Sequence, residues 1–571
     1  MVRLSTSQKQ SNNLTIKQSN QIINMKKKIL ITIGILVLIA VAGRIWFHYN
    51  WHRMPGIISS FKNPTGPNQA VDWQEGPRTR TSDKPNVIVI LVDDMGFNEV
   101  SSYGGGMGNG QFKTPNIDQL AADGVLCRNG YATTAVCAAS RASLLTGRYS
   151  TRFGFEYTPT SKGMGKFVAD QNKAAVQPYL YNASVDERLP HRDEMGLPPA
   201  ELLLPELLKP EGYHSVHIGK WHLGSTEKFR PNRQGFEEAL WMESGGLFLP
   251  EDDPNVVNAK LDFDPIDKFL WANLPYAVRF NDSGRFQPDG HLTDYLTNEA
   301  VKVIEKNKNR PFFLYMAYWA VHTPLQALKS DYDELSYIKD HTERVQAAMV
   351  KTVDRGVGKI RQALKENGID ENTIIIFTCD NGAPHYVGLR DVNKPYRGWK
   401  ITLFEGGIHV PFIVNYPDSI PAGQVYDGRV SNIDIFETVG TLAGATIPTN
   451  KKMDGTNILP FLTGAKAGAP SRPLFTKNGT FSQVIKDNWK LLWDQQQQKK
   501  WLFDLKNDPT EQNNLIDEIP QKTKELKTLL TAFLAEQVTP LWDGSSHMPV
   551  HIDKHLNESK TKDDEFAYWQ N

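Results

Sequence analysis

Three unbroken apolar runs constrain this chain more than any other feature. Asn86–Val92 reads Asn-Val-Ile-Val-Ile-Leu-Val, Pro311–Tyr318 reads Pro-Phe-Phe-Leu-Tyr-Met-Ala-Tyr, and Thr373–Thr378 reads Thr-Ile-Ile-Ile-Phe-Thr. None alternates apolar with polar residues, the pattern of strands covered on both faces. Each run closes on polar or ionisable residues: Asp93-Asp94, then His322 just past Tyr318, then Cys379-Asp380-Asn381. Between them lie helical patterns: one from Thr114-Pro115 to Gly124, one in the Ser/Ala/Leu stretch after Cys137, and one over Glu343–Asn367 ending at Gly368. Strands alternating with helices predict an α/β fold with a large, mostly parallel sheet flanked by helices. Open sheets of this kind gather ligands at the carboxyl ends of their strands, where Asp93, Asp94, Asp380 and Asn381 fall.

At 571 residues the chain exceeds one ordinary core. Residues 1–48 read as a targeting segment, with Met25-Lys26-Lys27-Lys28 ahead of the apolar stretch Ile29–Gly43. Ala40-Val41-Ala42 offers a small-residue cleavage site. Ile45-Trp46-Phe47 extends the apolar character toward a short membrane span. A cleaved signal peptide and a retained membrane anchor both export the body, to the periplasm, the cell surface or the medium. Residues 49–84, with Pro, Gly and Asn and little periodicity, read as a linker, and 85–464 as the main domain. After the linker-like Thr463–Pro470, residues 471–571 carry short strand patterns at 473–476, 481–485, 489–493 and 501–505 and a helix near 521–536, a small α+β domain. Lys plus Arg equals Asp plus Glu at 64 each, with no basic stripe beyond the N-terminus, so no nucleic-acid partner is expected. Three cysteines do not make a disulfide scaffold. Cys127 and Cys379 are expected as separate buried thiols.

The chemistry-bearing segments are Cys137-Ala138-Ala139-Ser140-Arg141, Gly219-Lys220-Trp221-His222-Leu223-Gly224, His322-Thr323-Pro324, Asp380-Asn381-Gly382, and Arg397-Gly398-Trp399-Lys400 ahead of Glu405-Gly406-Gly407. Asp and Asn pairs by themselves also suit turns and helix caps. Hard cations such as Ca²⁺ take several carboxylate and amide oxygens, whereas a Zn²⁺ cage favours His and Cys. A thiol entering a helix can be a nucleophile or simply a small buried residue.

In this order and over about 85–515, these segments resemble the type I, formylglycine-dependent sulfatases, arylsulfatase-like members of the alkaline-phosphatase-like superfamily. The five residues from Cys137 match the Cys-x-Pro/Ala-x-Arg signature, with Ala139 in place of the commoner Pro. The resemblance implies the sulfatase fold, and a maturation enzyme that converts Cys137 to formylglycine (3-oxoalanine), whose hydrate attacks sulfur. It implies one Ca²⁺ held by Asp93, Asp94, Asp380, Asn381 and the modified residue 137. Arg141, four residues on and on the same helix face, would hold the hydrate. Lys220 would contact sulfate and formylglycine, and His222, placed with Lys220 on one strand face by alternation, would accept a proton. His322 and Lys400 would address the leaving-group side, one protonating the departing alcohol. Asp504-Leu505, Asp508-Pro509, Glu511 and Asn514-Leu515 resemble the family's C-terminal domain. His409 stands where Arg is common, and its role is open.

The expected activity is hydrolysis of sulfate esters on a polysaccharide or oligosaccharide, algal (ulvan-like) or glycosaminoglycan. The alternatives are a phosphonate or phosphate ester hydrolase of the same superfamily and a non-catalytic carbohydrate-binding homologue. Two-metal phosphatases use Ser or Thr and His-rich ligation, and a dead scaffold would have lost motif residues; neither describes this chain. His385 and Asn393 are candidate substrate contacts, and Trp241, Trp271 and Asp252, in the aromatic segment Phe229–Pro288, are candidate sugar contacts. His214 and His217 are assigned no role.

Overall fold

A computed structural model describes residues 6–50 and 53–571. They form two units, 1–62 and 63–571. In the first, helix α1 (Thr6–Asn50) contains a stretch, Gln10–Phe47, long and apolar enough to cross a membrane. Residues 1–5 of the expected targeting segment lie outside the described residues. Helix α2 (Met54–Lys62) follows within the same unit. The segment expected as a linker therefore starts with a helix, and its later part is tied down. Thr65–Gly66 pairs in parallel with Arg285–Phe286, and Trp73 is buried with its Nε1 donating to Glu299 Oε2 at 2.7 Å.

The larger unit is built on a nine-stranded sheet. In chain order its strands are β1 (Asn86–Val92), β2 (Val125–Tyr131), β3 (His214–Lys220), β4 (Glu238–Met242), β5 (Arg279–Phe280), β6 (Phe312–Ala317), β7 (Thr373–Cys379), β8 (Phe412–Asn415) and β9 (Gln424–Ser431). Their order across the sheet is β9-β2-β8-β7-β1-β6-β3-β4-β5. From β7 to β4 all pairings are parallel, while β8 runs antiparallel between β2 and β7. The three apolar runs are the adjacent central strands β7, β1 and β6, buried along their whole length.

Alternation along each strand feeds two cores. Ile88, Ile90, Leu314 and Met316 face a layer with Leu296 and Ile304 of helix α5 (Leu292–Asn307) and Met349 and Val353 of helix α6 (His341–Glu366). Val87, Val89, Phe313 and Tyr315 face Ala142 and Leu145 of helix α4 (Cys137–Thr146) and Phe436 and Val439 of helix α7 (Asp434–Leu442). Helix α3 (Pro115–Ala122) begins at the expected Thr114-Pro115 boundary. Burying each such side chain contributes roughly 1.5–3 kcal/mol.

Beyond residue 470 lie four antiparallel strands, β10 (Leu474–Asn478), β11 (Phe481–Lys486), β12 (Trp489–Asp494) and β13 (Lys499–Asp504), and helix α8 (Pro520–Ala535). One face of this smaller sheet packs Val484, Leu491 and Leu502 on Leu526 and Leu530 of α8. The other packs Phe481, Leu492 and Trp501 on Phe404, Ile408 and Tyr131. Inside that contact Lys490, fully buried, lies 2.8 Å from Glu405 Oε1 and 2.7 Å from Glu511 Oε1. Glu405 Oε2 accepts from Tyr131 OH and pairs with His409 Nδ1, both at 2.8 Å. His409 thus clamps structure, which answers the question the sequence left open. Strands β14 (Ser546–His551) and β15 (Phe566–Gln570) close the chain as a hairpin. Cys127, Cys137 and Cys379 are all free and buried.

Candidate active site

Sheet register brings the acidic residues together. Parallel β1 and β7 pair Leu91 with Thr378 and Val92 with Cys379, so Asp93-Asp94 and Asp380-Asn381 leave the sheet side by side. On the other flank Ala317 of β6 pairs with Leu91 and with Gly219 of β3, which places Lys220 and the loop to His322 at the same edge. Helix α4 starts at Cys137, whose Sγ lies 3.7 Å from Asp94 Oδ1. Two glycines permit the approach. A Cβ on Gly219 would meet Ala317 O at 1.9 Å, and one on Gly382 would meet Gly406 O at 2.0 Å. Asp94 (φ 59°), His222 (φ 61°) and Ile401 (φ 68°) hold left-handed backbone at or beside the site, the strain that functional sites concentrate.

All the sequence-derived site residues gather here. Arg141 Nε donates to Asp380 Oδ2 at 2.9 Å, its Nη2 lies 2.7 Å from the same oxygen, and Nη1 donates to Lys220 O at 2.9 Å. Arg141 thereby ties the start of α4 to the ends of β7 and β3. Lys220 Nζ donates to Asp93 Oδ2 and stands 4.6 Å over the Trp319 ring. Lys400 Nζ lies 2.6 Å from Asp94 Oδ1 and 2.8 Å from Oδ2. Asn381 Nδ2 donates to Asp94 Oδ1 at 2.7 Å. His322 Nε2 is 3.4 Å from Asp94 Oδ2, its ring stacked on Trp319 at 4.2 Å. His222 departs from the alternation argument: β3 stops at Lys220, and His222 sits in the following turn with its N–H on Glu243 O at 2.7 Å.

Burial and charge set the protonation states. Burial raises the Cys137 thiol well above its usual range, beyond what Lys220 and Lys400 offset, so an unmodified thiol here stays protonated and is a poor nucleophile. Burial, then Lys220 and Arg141, hold His222 well below its usual range. Burial lowers His322 to about 4 although Asp94 pulls upward. For Lys400 burial opposes the charge, but Asp94 and its neighbours outweigh it and hold the ammonium well above the ordinary value. Burial and the Asp93 charge push Asp380 up to about 7 despite Arg141. Burial acts the same way on Asp93, but Lys220 and Arg141 overcome it and keep that carboxylate ionised.

The donor set fits a hard cation. Ligand atoms of Asp93, Asp94, Cys137 and His322 lie within 4.8 Å of one another. Asp93 Oδ1 and Asn381 Oδ1 are buried with no hydrogen-bond donor among the described residues, and buried oxygens are rarely left so. Carboxylate and amide oxygens suit Ca²⁺.

Other candidate contacts are redistributed. Trp241 is fully buried, its Nε1 on Asn281 O at 3.0 Å, so it is core. Asn393 is also buried and clamps its own loop, accepting from Ala383 N at 2.9 Å and donating to Ala383 O at 2.8 Å. Trp271 Nε1 donates to Asp267 Oδ2 at 3.0 Å, and Asp252 is exposed. His214 pairs with Glu238 at 2.8 Å and His217 lies in the core. Sequence reasoning missed Tyr386, whose OH donates to Asp94 Oδ2 at 3.0 Å; its position six residues past Asp380 was the only signal.

Residues 85–445 match the family model "Sulfatase", and residues 398–539 match "N-sulphoglucosamine sulphohydrolase, C-terminal". The chain is 33% identical over 410 residues to N-acetylgalactosamine-6-sulfatase of Homo sapiens, covering 69% of this chain and 68% of that protein. Among solved structures it is similar to Ps i-CgsB in complex with k-i-k-neocarrahexaose, with TM-score 0.67 and 29% identity over 80% of this chain and 94% of that one. It is similar also to the PsFucS1 sulfatase from Pseudoalteromonas sp., with TM-score 0.61 and 25% identity over 79% and 90%.

Proposed function

This chain belongs to the sulfatase family and is a sulfuric ester hydrolase, and from that premise we propose that it removes sulfate from a sulfated polysaccharide or oligosaccharide, using a formylglycine made from Cys137 and one Ca²⁺. The observation that carries the reading is the meeting of a buried, free Cys137 with Asp93 and Asn381 oxygens that lack donors. A buried thiol is a poor nucleophile that conversion would activate, and a cation would satisfy those oxygens. Asp93, Asp94, Asp380, Asn381 and residue 137 would hold the ion. When present, formylglycine supplies a hydrated-aldehyde nucleophile and Ca²⁺ a positive charge against the sulfate oxygens.

The chain's own residues do the rest. Arg141, Lys220 and Lys400 face three carboxylates, so a divalent cation leaves the site positive and ready for an anionic ester. Arg141 fixes residue 137 relative to Asp380 and Lys220. Lys220, braced by Trp319, binds a sulfate oxygen. His222, held neutral, is free to accept a proton. Lys400, held charged, faces the oxygen that gains charge as the alcohol departs. His322 takes up its proton when the anionic ester binds and passes it to that oxygen.

Sulfated carbohydrate is the substrate class because relatives named for N-acetylgalactosamine-6-sulfate hydrolysis and for a bound neocarrahexaose share this framework. The apolar N-terminal helix supports export, as a signal or anchor. A maturation enzyme that forms formylglycine is the implied partner. The test is a desulfation screen of the matured enzyme on defined sulfated galactose, galactosamine, glucosamine and fucose oligosaccharides. We expect turnover on a narrow subset with one sulfate position. Turnover confined to small aryl sulfates would overturn the carbohydrate assignment while leaving the hydrolase class intact.

A further inference from the structure

Two donors and the His322 ring converge on one carboxylate oxygen. Asp94 Oδ2 accepts from Lys400 Nζ at 2.8 Å and from Tyr386 OH at 3.0 Å, and lies 3.4 Å from His322 Nε2. Tyr386 OH is itself 3.3 Å from Lys400 Nζ. Lys400 and His322 are the two residues placed on the leaving-group side above. Tyr386 shares their acceptor and their side of the site, and it is only partly buried. An ester oxygen is an acceptor of the same kind as the carboxylate oxygen that now collects these groups.

The Tyr386 loop is held from outside the common framework. Its turn, His385–Val387, accepts Leu556 N on His385 O at 3.2 Å. Arg390 pairs with Glu558, and Arg397 bridges Asp553 and Glu565. The Trp399 ring lies 4.4 Å from that of His555. All of these partners belong to the connection between β14 and β15. That connection lies beyond both family-model matches, which end at residues 445 and 539. The brace on this loop is therefore a feature of this chain beyond the matched framework.

We propose that Tyr386 is a third donor on the leaving-group side, hydrogen-bonding the bridging oxygen of a sugar sulfate beside Lys400 and His322, and that the β14–β15 connection fixes it there. The inference rests on the sulfate-ester reading. As the bond from the residue-137 nucleophile to sulfur forms, the bond from sulfur to the sugar oxygen breaks and its electron pair stays on that oxygen. The proton on that oxygen comes from His322, and the nucleophile's own proton is released to water. Tyr386 keeps its own proton and lowers the cost of the charge through one hydrogen bond. A phenol, with an ordinary pKa of about 10, stays protonated at neutral pH and remains a donor.

The experiment compares Tyr386→Phe with wild type, both matured, on 4-nitrophenyl sulfate and on the best sugar sulfate from the oligosaccharide screen. A nitrophenolate leaves without help, whereas a sugar alkoxide needs it. We expect kcat/KM on the sugar sulfate to fall on the order of 10²-fold, the scale of one lost oxyanion donor, and on the aryl sulfate by less than about threefold. Glu558→Ala, which loosens the brace without touching the site, should show the same selective loss at smaller size. Bound Ca²⁺ and the melting temperature of Tyr386→Phe should match wild type. An equal loss on both substrates, or no loss on either, overturns the proposal. Lack of any sulfate-ester turnover by the matured wild type would strike the underlying reading instead.

Discussion

Cys137→Ala is expected to abolish turnover, a loss of roughly 10⁵–10⁶-fold in kcat/KM, the scale seen when a covalent nucleophile is removed. The fold should survive. Cys137 is the first residue of α4, beside Ala138 and Ala139, and its Sγ makes one weak contact at 3.7 Å with Asp94. Replacing it with Ala deletes one small buried atom and breaks no ion pair. Cys137→Ser is the sharper variant, because a serine hydroxyl occupies the same place but has no second hydroxyl to expel sulfate. It should label once and stop. In wild type from a host that matures sulfatases, mass spectrometry of the peptide spanning residue 137 should show the aldehyde or its hydrate. Full activity in protein carrying only the thiol would contradict the account, because burial keeps that thiol protonated.

Asp93→Asn should cost nearly as much by another route. The substitution keeps the shape but removes the charge that faces Lys220 and Arg141, and it halves the carboxylate character at an oxygen with no donor of its own. Bound Ca²⁺, near one per wild-type chain, should fall to a small fraction. Activity should drop by on the order of 10³-fold or more, since a metal supplies several kcal/mol of charge stabilisation and each 1.36 kcal/mol is tenfold. Metal analysis and rates measured on the same preparation check this. Retained activity with no bound Ca²⁺, or stoichiometric zinc that activity requires, would remove the Ca²⁺ site.

Much of this was legible in the chain. The unbroken runs at 86–92, 311–318 and 373–378 read as strands covered on both sides, and each emerged where its pattern put it. The candidate oxygen quartet could be picked out because Asp93-Asp94 and Asp380-Asn381 both end such runs. What the sequence could not give was adjacency. Register between β1 and β7 joins residues almost 290 apart, and no local pattern encodes it. Tyr386 escaped for the same reason: a loop tyrosine six residues past Asp380 gains meaning only once Asp94 is beside it. The buried contact of Lys490 with Glu405 and Glu511 joins residues far apart in the chain and had no local pattern either. Trp241 failed in the opposite direction, since an aromatic in a pocket-rich segment is more often core. His222 was expected on a strand face, but Gly219 and Lys220 end that strand, and a left-handed turn delivers the ring instead.

The most direct test of the central claim is to measure kcat/KM for a sulfate monoester and its matched phosphate on one matured preparation. A phosphate monoester carries nearly two negative charges at neutral pH, its second pKa being about 6, and a sulfate monoester one. Arg141, Lys220 and Lys400 attract either anion, so phosphate should bind and inhibit. Turnover should differ, because regenerating the nucleophile requires that the bound group leave as a good anion. The account predicts sulfate hydrolysis on the order of 10²-fold faster or more, at least 2.7 kcal/mol in the barrier. Equal or faster phosphate hydrolysis would contradict it and return the chain to the phosphate and phosphonate hydrolases.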